Sequence, residues 1–246
     1  MKWVLPLSAA MLLAAGCGGS NTSAPAVSTP SATGSTRATS TTPAATIRLE
    51  LFYLADDGRL VAEPGDVPAT QAVASAALHA LASAARGTTT EVPDGLSVAI
   101  AKGDAKVIGA TLSKAALAQV VYTLTEFPTV ETVNGQSRQD MEDSRVVPAI
   151  LVEHPLPDGR VTSPLHVTGT ADAFEATFEY ELKDSVGVVL AKGFTTASTG
   201  NGTRGTFELS VPFTVDHAQD GTLVVYESSA ADGSRIHIRE IPLRLT

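Results

Sequence analysis

The sequence predicts two folded domains in series: an α+β domain with helices laid on a sheet, then an all-β sandwich. Two observations carry this. From residue 46 to about 135, segments of alternating polarity are interrupted by two stretches with helical spacing, and beyond residue 148 the apolar period is two throughout. Between them, residues 136–147 are charged and weakly apolar and read as an interdomain linker.

The chain begins MKWVLPLSAAMLLAAGC: one positive charge at Lys2, an apolar run, then small residues before Cys17. That is the layout of an export signal, and the run is shorter than the ~20 residues a spanning helix needs. Leu13-Ala14-Ala15-Gly16-Cys17 resembles a bacterial lipobox, with Ala14 where leucine is commonest. The resemblance implies cleavage after Gly16 and a diacylglyceryl group on the Cys17 sulfur. The alternative is an ordinary signal peptide with Cys17 incidental. Cys17 is the only cysteine, so no disulfide within the chain supports either domain. Acyl chains at ~0.8 kcal/mol per buried CH₂ anchor stably when there are two or more. Residues 18–45 are Ser, Thr, Ala, Pro and Gly apart from Asn21, one charge, Arg37, and one larger apolar residue, Val27, and cannot bury enough to offset ordering entropy. They are expected to be a disordered tether spanning roughly 30 Å. The expected divisions are thus 1–16 signal peptide, 17–45 lipidated cysteine and linker, 46–135 first domain, 136–147 linker and 148–246 second domain.

In the first domain, residues 46–54 set Ile47, Leu49, Leu51 and Tyr53 against Arg48, Glu50 and Phe52, a strand with one buried face. Asp56-Asp57-Gly58 turns it back into a hairpin. Residues 68–86 are alanine-rich with helical spacing, and Gly87 is expected to close that helix. A second hairpin turns at Lys102-Gly103-Asp104. Ser113 is placed to cap a second helix, in which Leu117, Val120, Val121, Leu124 and Phe127 make an apolar face and Pro128 a stop. Its other side carries Gln119, Tyr122, Thr123 and Glu126. Residues 130–133 offer a last short strand.

In the second domain, Phe174, Ala176, Phe178, Tyr180 and Leu182 alternate with Glu175, Thr177, Glu179, Glu181 and Lys183, a long strand with an apolar and a solvated acidic face. Further strands are expected at 149–153, 165–171, 188–197, 206–213, 222–228 and 236–245. Seven short strands separated by Gly, Asp and Pro turns indicate a β-sandwich.

FYLADDGRLV (52–61) and LAQVVYTLTEFP (117–128) resemble the GerMN domain of bacterial germination- and sporulation-type envelope proteins. Two departures are present: Thr111 precedes Leu112-Ser113 where the family carries aspartate, and VETVNGQ replaces an apolar stretch after the helix. PLHVTGTA (164–171), FEA (174–176), GTF (205–207) and SAADGS (229–234) resemble the immunoglobulin-like domain that follows GerMN in such proteins. The resemblance implies interaction modules and no catalysis, the first similar in fold to the ring-building modules of secretion-type assemblies. On it, Gln119, Tyr122 and Glu126 are the candidate partner-docking face; the alternative is a merely solvated helix face.

Composition excludes some functions. With 17 basic and 26 acidic residues the formal net charge is -9, so nucleic acid is not an expected partner. Gly200-Asn201-Gly202-Thr203-Arg204-Gly205 fits the dinucleotide fingerprint, but strand-like rather than helical sequence follows, and it reads as a glycine-rich hairpin connection. The five histidines have no zinc-ligand spacing, and no nucleophile elbow or P-loop is present. No catalytic, cofactor-binding or metal residue is therefore assigned. The expectation is a non-enzymatic lipoprotein on the extracytoplasmic side of the cell membrane. It would be held by lipid at Cys17 and present two modules to an envelope protein partner. The alternative partner is peptidoglycan or wall glycan. A hydrolase with an unrecognised carboxylate pair is a third reading.

Overall fold

A computed structural model describes residues 45–142 and 145–246. The expected signal peptide, Cys17 and all of the tether before Ala45 lie outside the described residues. The first domain opens with a long antiparallel hairpin, β1 (Thr46–Leu54) and β2 (Leu60–Pro68), in register from Leu54 opposite Leu60 to Thr46 opposite Pro68. Its turn is closed by Asp57, whose Oδ1 accepts the Arg59 N–H at 3.0 Å, and by Gly58 at φ +74°. β1 is covered on both faces, since Glu50, Leu51, Phe52, Tyr53 and Leu54 are all buried. The alternation in the sequence, by contrast, implies one wet face.

The first helix is shorter than its alanine content suggests. α1 runs Val73–Leu81 and buries Ala77, Leu78 and Leu81. Ser83 donates its N–H to Ala80 O at 3.0 Å, tightening the last turn and ending the helix there. Gly87 is not its cap but sits left-handed, φ +77°, in a separate turn in which the Thr88 N–H reaches Ala85 O. The second hairpin, β3 (Ser97–Ala101) and β4 (Asp104–Ile108), turns through Lys102 and Gly103 at φ +53° and +82°. Two positive φ values in a two-residue loop match the right-handed twist of the strands. α2 runs Lys114–Leu124, with Ser113 Oγ accepting the Ala116 N–H at 3.0 Å. The last strand forms as two residues, β5 (Thr132–Val133), parallel to β4. Beyond it the Asn134 side chain continues the pairing, accepting the Val107 N–H at 3.0 Å and donating to Val107 O at 3.2 Å. A side-chain amide thus substitutes for the apolar strand that VETVNGQ does not supply.

The second domain is a two-sheet sandwich. One sheet has the order β10 (Val189–Thr196), β9 (Thr177–Asp184), β12 (Gln219–Ser228), β13 (Arg235–Leu245), β7 (Gly159–Val161), with β7 parallel to β13. The other is β11 (Gly205–Val211), β8 (Leu165–Ala171), β6 (Ile150–His154). Phe178 and Phe207 meet edge-on between the sheets, centroids 4.9 Å apart. Three expectations are corrected here. Residues 174–176 are a tight turn and not strand, because Glu175 and Ala176 take φ of +52° and +58°; Phe174 is turned outward, 57% exposed. The acidic face of β9 is not wholly solvated: Glu181 is buried between Arg235 and Lys183. The Gly200–Gly205 loop is not a hairpin but carries the chain from one sheet (β10) to the other (β11).

Segment 136–147, expected as a linker, is packed. Met141, Val146 and Val147 are buried in the first core, which also takes Leu151 of β6, and the Leu60 N–H donates to Val146 O at 2.7 Å. Arg239 of β13 pairs with Asp57 of the first hairpin at 2.8 Å. The described residues make one compact unit.

Candidate functional site

α2 is the element on which the expected docking face lies, and the structure buries most of that face. Gln119 and Tyr122 are 0% and 1% exposed, and Thr123 is buried as well. This corrects the docking assignment, and the reason is local. The Phe52 backbone has its N–H bonded to Thr123 Oγ1 at 3.0 Å and its carbonyl to Gln119 Nε2 at 3.2 Å, while Gln119 Oε1 accepts the Glu91 N–H at 2.9 Å. The polar side chains of α2 therefore satisfy the open edge of β1 in place of a further strand. Tyr122 packs its ring against Phe52, centroids 5.3 Å apart. Glu126 alone of the three remains exposed, and it is paired with Arg138.

Arg138 is the hub of the joint between the domains. Its guanidinium donates to Thr125 Oγ1 at 2.7 Å, to the Tyr122 carbonyl at 2.8 Å, to Glu153 of β6 at 3.0 Å, and to Glu126. It also lies 4.8 Å from the Tyr122 ring centroid and 5.4 Å from that of Phe52. Behind it stands Glu50 of β1, whose carboxylate oxygens are buried without a hydrogen bond; His154 Nε2 is 3.6 Å away. Burial, with added repulsion from Glu126 and Glu153, pushes Glu50 up to about 9, against the smaller opposing pull of Arg138. Glu153 is raised by burial too, with Arg138 again opposing. Arg138, in the connecting segment, thus ties α2 through the Tyr122 carbonyl, β1 through the Phe52 ring and β6 through Glu153.

The exposed apolar surface of the first domain lies elsewhere. β3 is the outer strand of the β3-β4-β5 sheet, so its far edge is unpaired among the described residues, and Ile100 is 41% exposed. Val98 and Ile100 line a groove of about 330 Å³ with Val73 and Ala74 of α1 and Phe127 and Thr129 beyond α2. The sequence signal was there in Ser97-Val98-Ala99-Ile100-Ala101, an apolar strand without polar alternation, which a single-sided strand would have shown. No helix among the described residues is long and apolar enough to cross a membrane.

Comparison with known proteins defines the class. Residues 50–134 match the Germane family, described as sporulation and spore germination. Residues 149–234 match Gmad2, the immunoglobulin-like domain of bacterial spore germination. The chain carries a GerMN domain followed by a germination-type immunoglobulin-like domain. Among solved structures it is similar to the tandem GerMN domains of the sporulation protein GerM from Bacillus subtilis, at 15% identity and a TM-score of 0.32. That alignment covers 68% of this chain and 62% of the other, and a likeness this weak carries no argument about arrangement or function. No curated protein gives a significant match.

Proposed function

We propose that this protein is a non-enzymatic envelope lipoprotein, anchored through acylated Cys17, that docks an envelope protein partner on the open edge of β3. The observation that carries the reading is that edge itself: unpaired backbone beside the Val98–Ile100–Phe127 groove. An extended partner segment adding a strand to β3 would gain main-chain hydrogen bonds and place alternate apolar side chains in the groove. The Arg138 joint supports the reading by fixing the second domain to the first, so that both modules are offered as one body. Lipid anchoring would raise the effective concentration of such weak contacts at the membrane. A photo-crosslinking residue at Ile100 in intact cells should capture a defined protein, and one at buried Gln119 should not. Equal capture from both sites, or none from Ile100, would refute the docking edge.

The wall-glycan reading has one observation of its own, the exposed rings of Phe174 and Phe194 on the second domain, 57% and 72% accessible. Exposed aromatic rings offer flat apolar faces on which a sugar can stack. Sedimentation with insoluble peptidoglycan tests it: retention that Phe194→Ala abolishes supports glycan binding, and a protein that stays in solution counts against it.

A further inference from the structure

We propose that a cleft at the domain joint, between the β1–β2 turn and β13, binds the terminal carboxylate of a short peptide, with Arg59 as the receiving group. The site is distinct from the β3 edge and does not depend on it. The cleft holds about 280 Å³ and is lined by Asp57 and Arg59 from the first domain, Pro148 and Ala149 from the connection, and His237, Ile238 and Arg239 from β13. Junctions between domains are where small-ligand sites concentrate, and this volume suits one or two small residues.

The charges decide the class of ligand. Asp57, the one carboxylate in the lining, is already committed: it pairs with Arg239 at 2.8 Å and accepts the Arg59 backbone N–H at 3.0 Å. His237 is committed to Glu227, Nδ1 to Oε2 at 2.9 Å. The Arg59 guanidinium, among the described residues, has no hydrogen-bonded acid. In a chain of net charge -9, a cleft with two arginines and one spent aspartate is locally short of an anion. Guanidinium matches carboxylate in planar, two-point geometry. Pro148, Ala149 and the exposed Ile238 supply an apolar wall for the side chain beside that carboxylate.

The wall is held in an uncommon backbone state. His237 takes φ +53° where the β12–β13 register slips between Val225 and Glu227. Glu227, itself buried, fixes it with one carboxylate oxygen and takes the Phe174 N–H at 3.0 Å with the other. Bulges of this kind re-aim side chains, and residues locked at positive φ cluster at binding sites.

The test is an NMR titration of the full chain in detergent, reading the Ile238 methyl and the Arg59 side-chain N–H. The probes are N-acetyl-alanyl-alanine in its L,L and D,D forms and the C-terminal amide of each. The acids should move both signals saturably, and the amides should bind roughly tenfold more weakly or not at all. Arg59→Gln should lose a similar factor with an unchanged thermal midpoint, since the turn is held by the Arg59 backbone. Ile238→Ala should weaken acid binding while leaving the preference of acid over amide. A tighter L,L form points to a protein C terminus, and a tighter D,D form to a wall stem peptide. Equal shifts with acid and amide, no shift with any probe, or undiminished binding by the Arg59→Gln variant would overturn the proposal.

Discussion

Glu50→Gln should stabilise the protein, and by an amount that grows with pH. Glu50 is 9% exposed, its oxygens lack hydrogen bonds, and its carboxyl is raised from 4.5 to about 9. Between those two values the folded state holds a proton that the unfolded chain has released. Stability therefore falls as pH rises through that window, by about 1.4 kcal/mol per unit while the difference is complete. From pH 4.5 to pH 7 the accumulated cost is on the order of 3 kcal/mol, an upper figure because relaxation and water entry soften buried charges. Glutamine keeps the shape and has no such proton to lose. Urea denaturation of wild type and variant in parallel should give near-equal stability at pH 4.5 and a gap of roughly 1–3 kcal/mol in the variant's favour at pH 7. Glu63, raised to about 7 chiefly by burial, titrates in both proteins and cancels in the difference. A gap that stays constant from pH 4.5 to 8 would refute the reasoning, because Glu50 would then bind its proton equally in the folded and unfolded chains.

Arg138→Ala removes the cation paired with Glu126 and Glu153 and should cost roughly 3 kcal/mol. The loss should be smaller near pH 4, where Glu153, raised by burial, takes up a proton; denaturation at the two pH values checks it. Gly169→Ala should destabilise by at least about 1–3 kcal/mol, since its Cβ would fall 2.1 Å from Leu151 O and 2.9 Å from Phe207 Cζ; a thermal midpoint unchanged from wild type would contradict this. Cys17→Ser should abolish incorporation of labelled palmitate and release the protein from membranes, and label entering that variant would refute the anchor.

The periodicity of α2 located a helix and Ser113 caps it as expected, but the helix ends at Leu124, so Phe127, expected on its apolar face, lies beyond it and Pro128 is not what stops it. What the pattern could not convey is what stands on its polar side. Gln119 and Thr123 have the composition of a wet face, yet they pair with the Phe52 backbone, because β1 has no strand on that edge. A side chain that replaces a strand looks the same in sequence as one that meets water. Arg138 was hidden for a related reason. It sits in a charged stretch that reads as linker, and its partners lie on either side of it, Tyr122, Thr125 and Glu126 at the end of the helix and Glu153 on β6, which only the fold brings together. The sandwich was legible because its alternation is long and repeated, and it failed at Phe174, where Glu175 and Ala176 adopt backbone states that their residue types rarely take. The β3 groove was missed because an apolar strand is ordinarily buried on both faces, and only the sheet order shows that this one lies at an edge.

The docking claim is tested most directly by affinity purification of the full-length protein from detergent-solubilised cells, comparing wild type with Ile100→Lys by quantitative mass spectrometry. A charge at the exposed Ile100 should leave the thermal midpoint in place and deplete one envelope protein from the co-purified set. If the same proteins are recovered in the same amounts, β3 is not the surface through which this protein works.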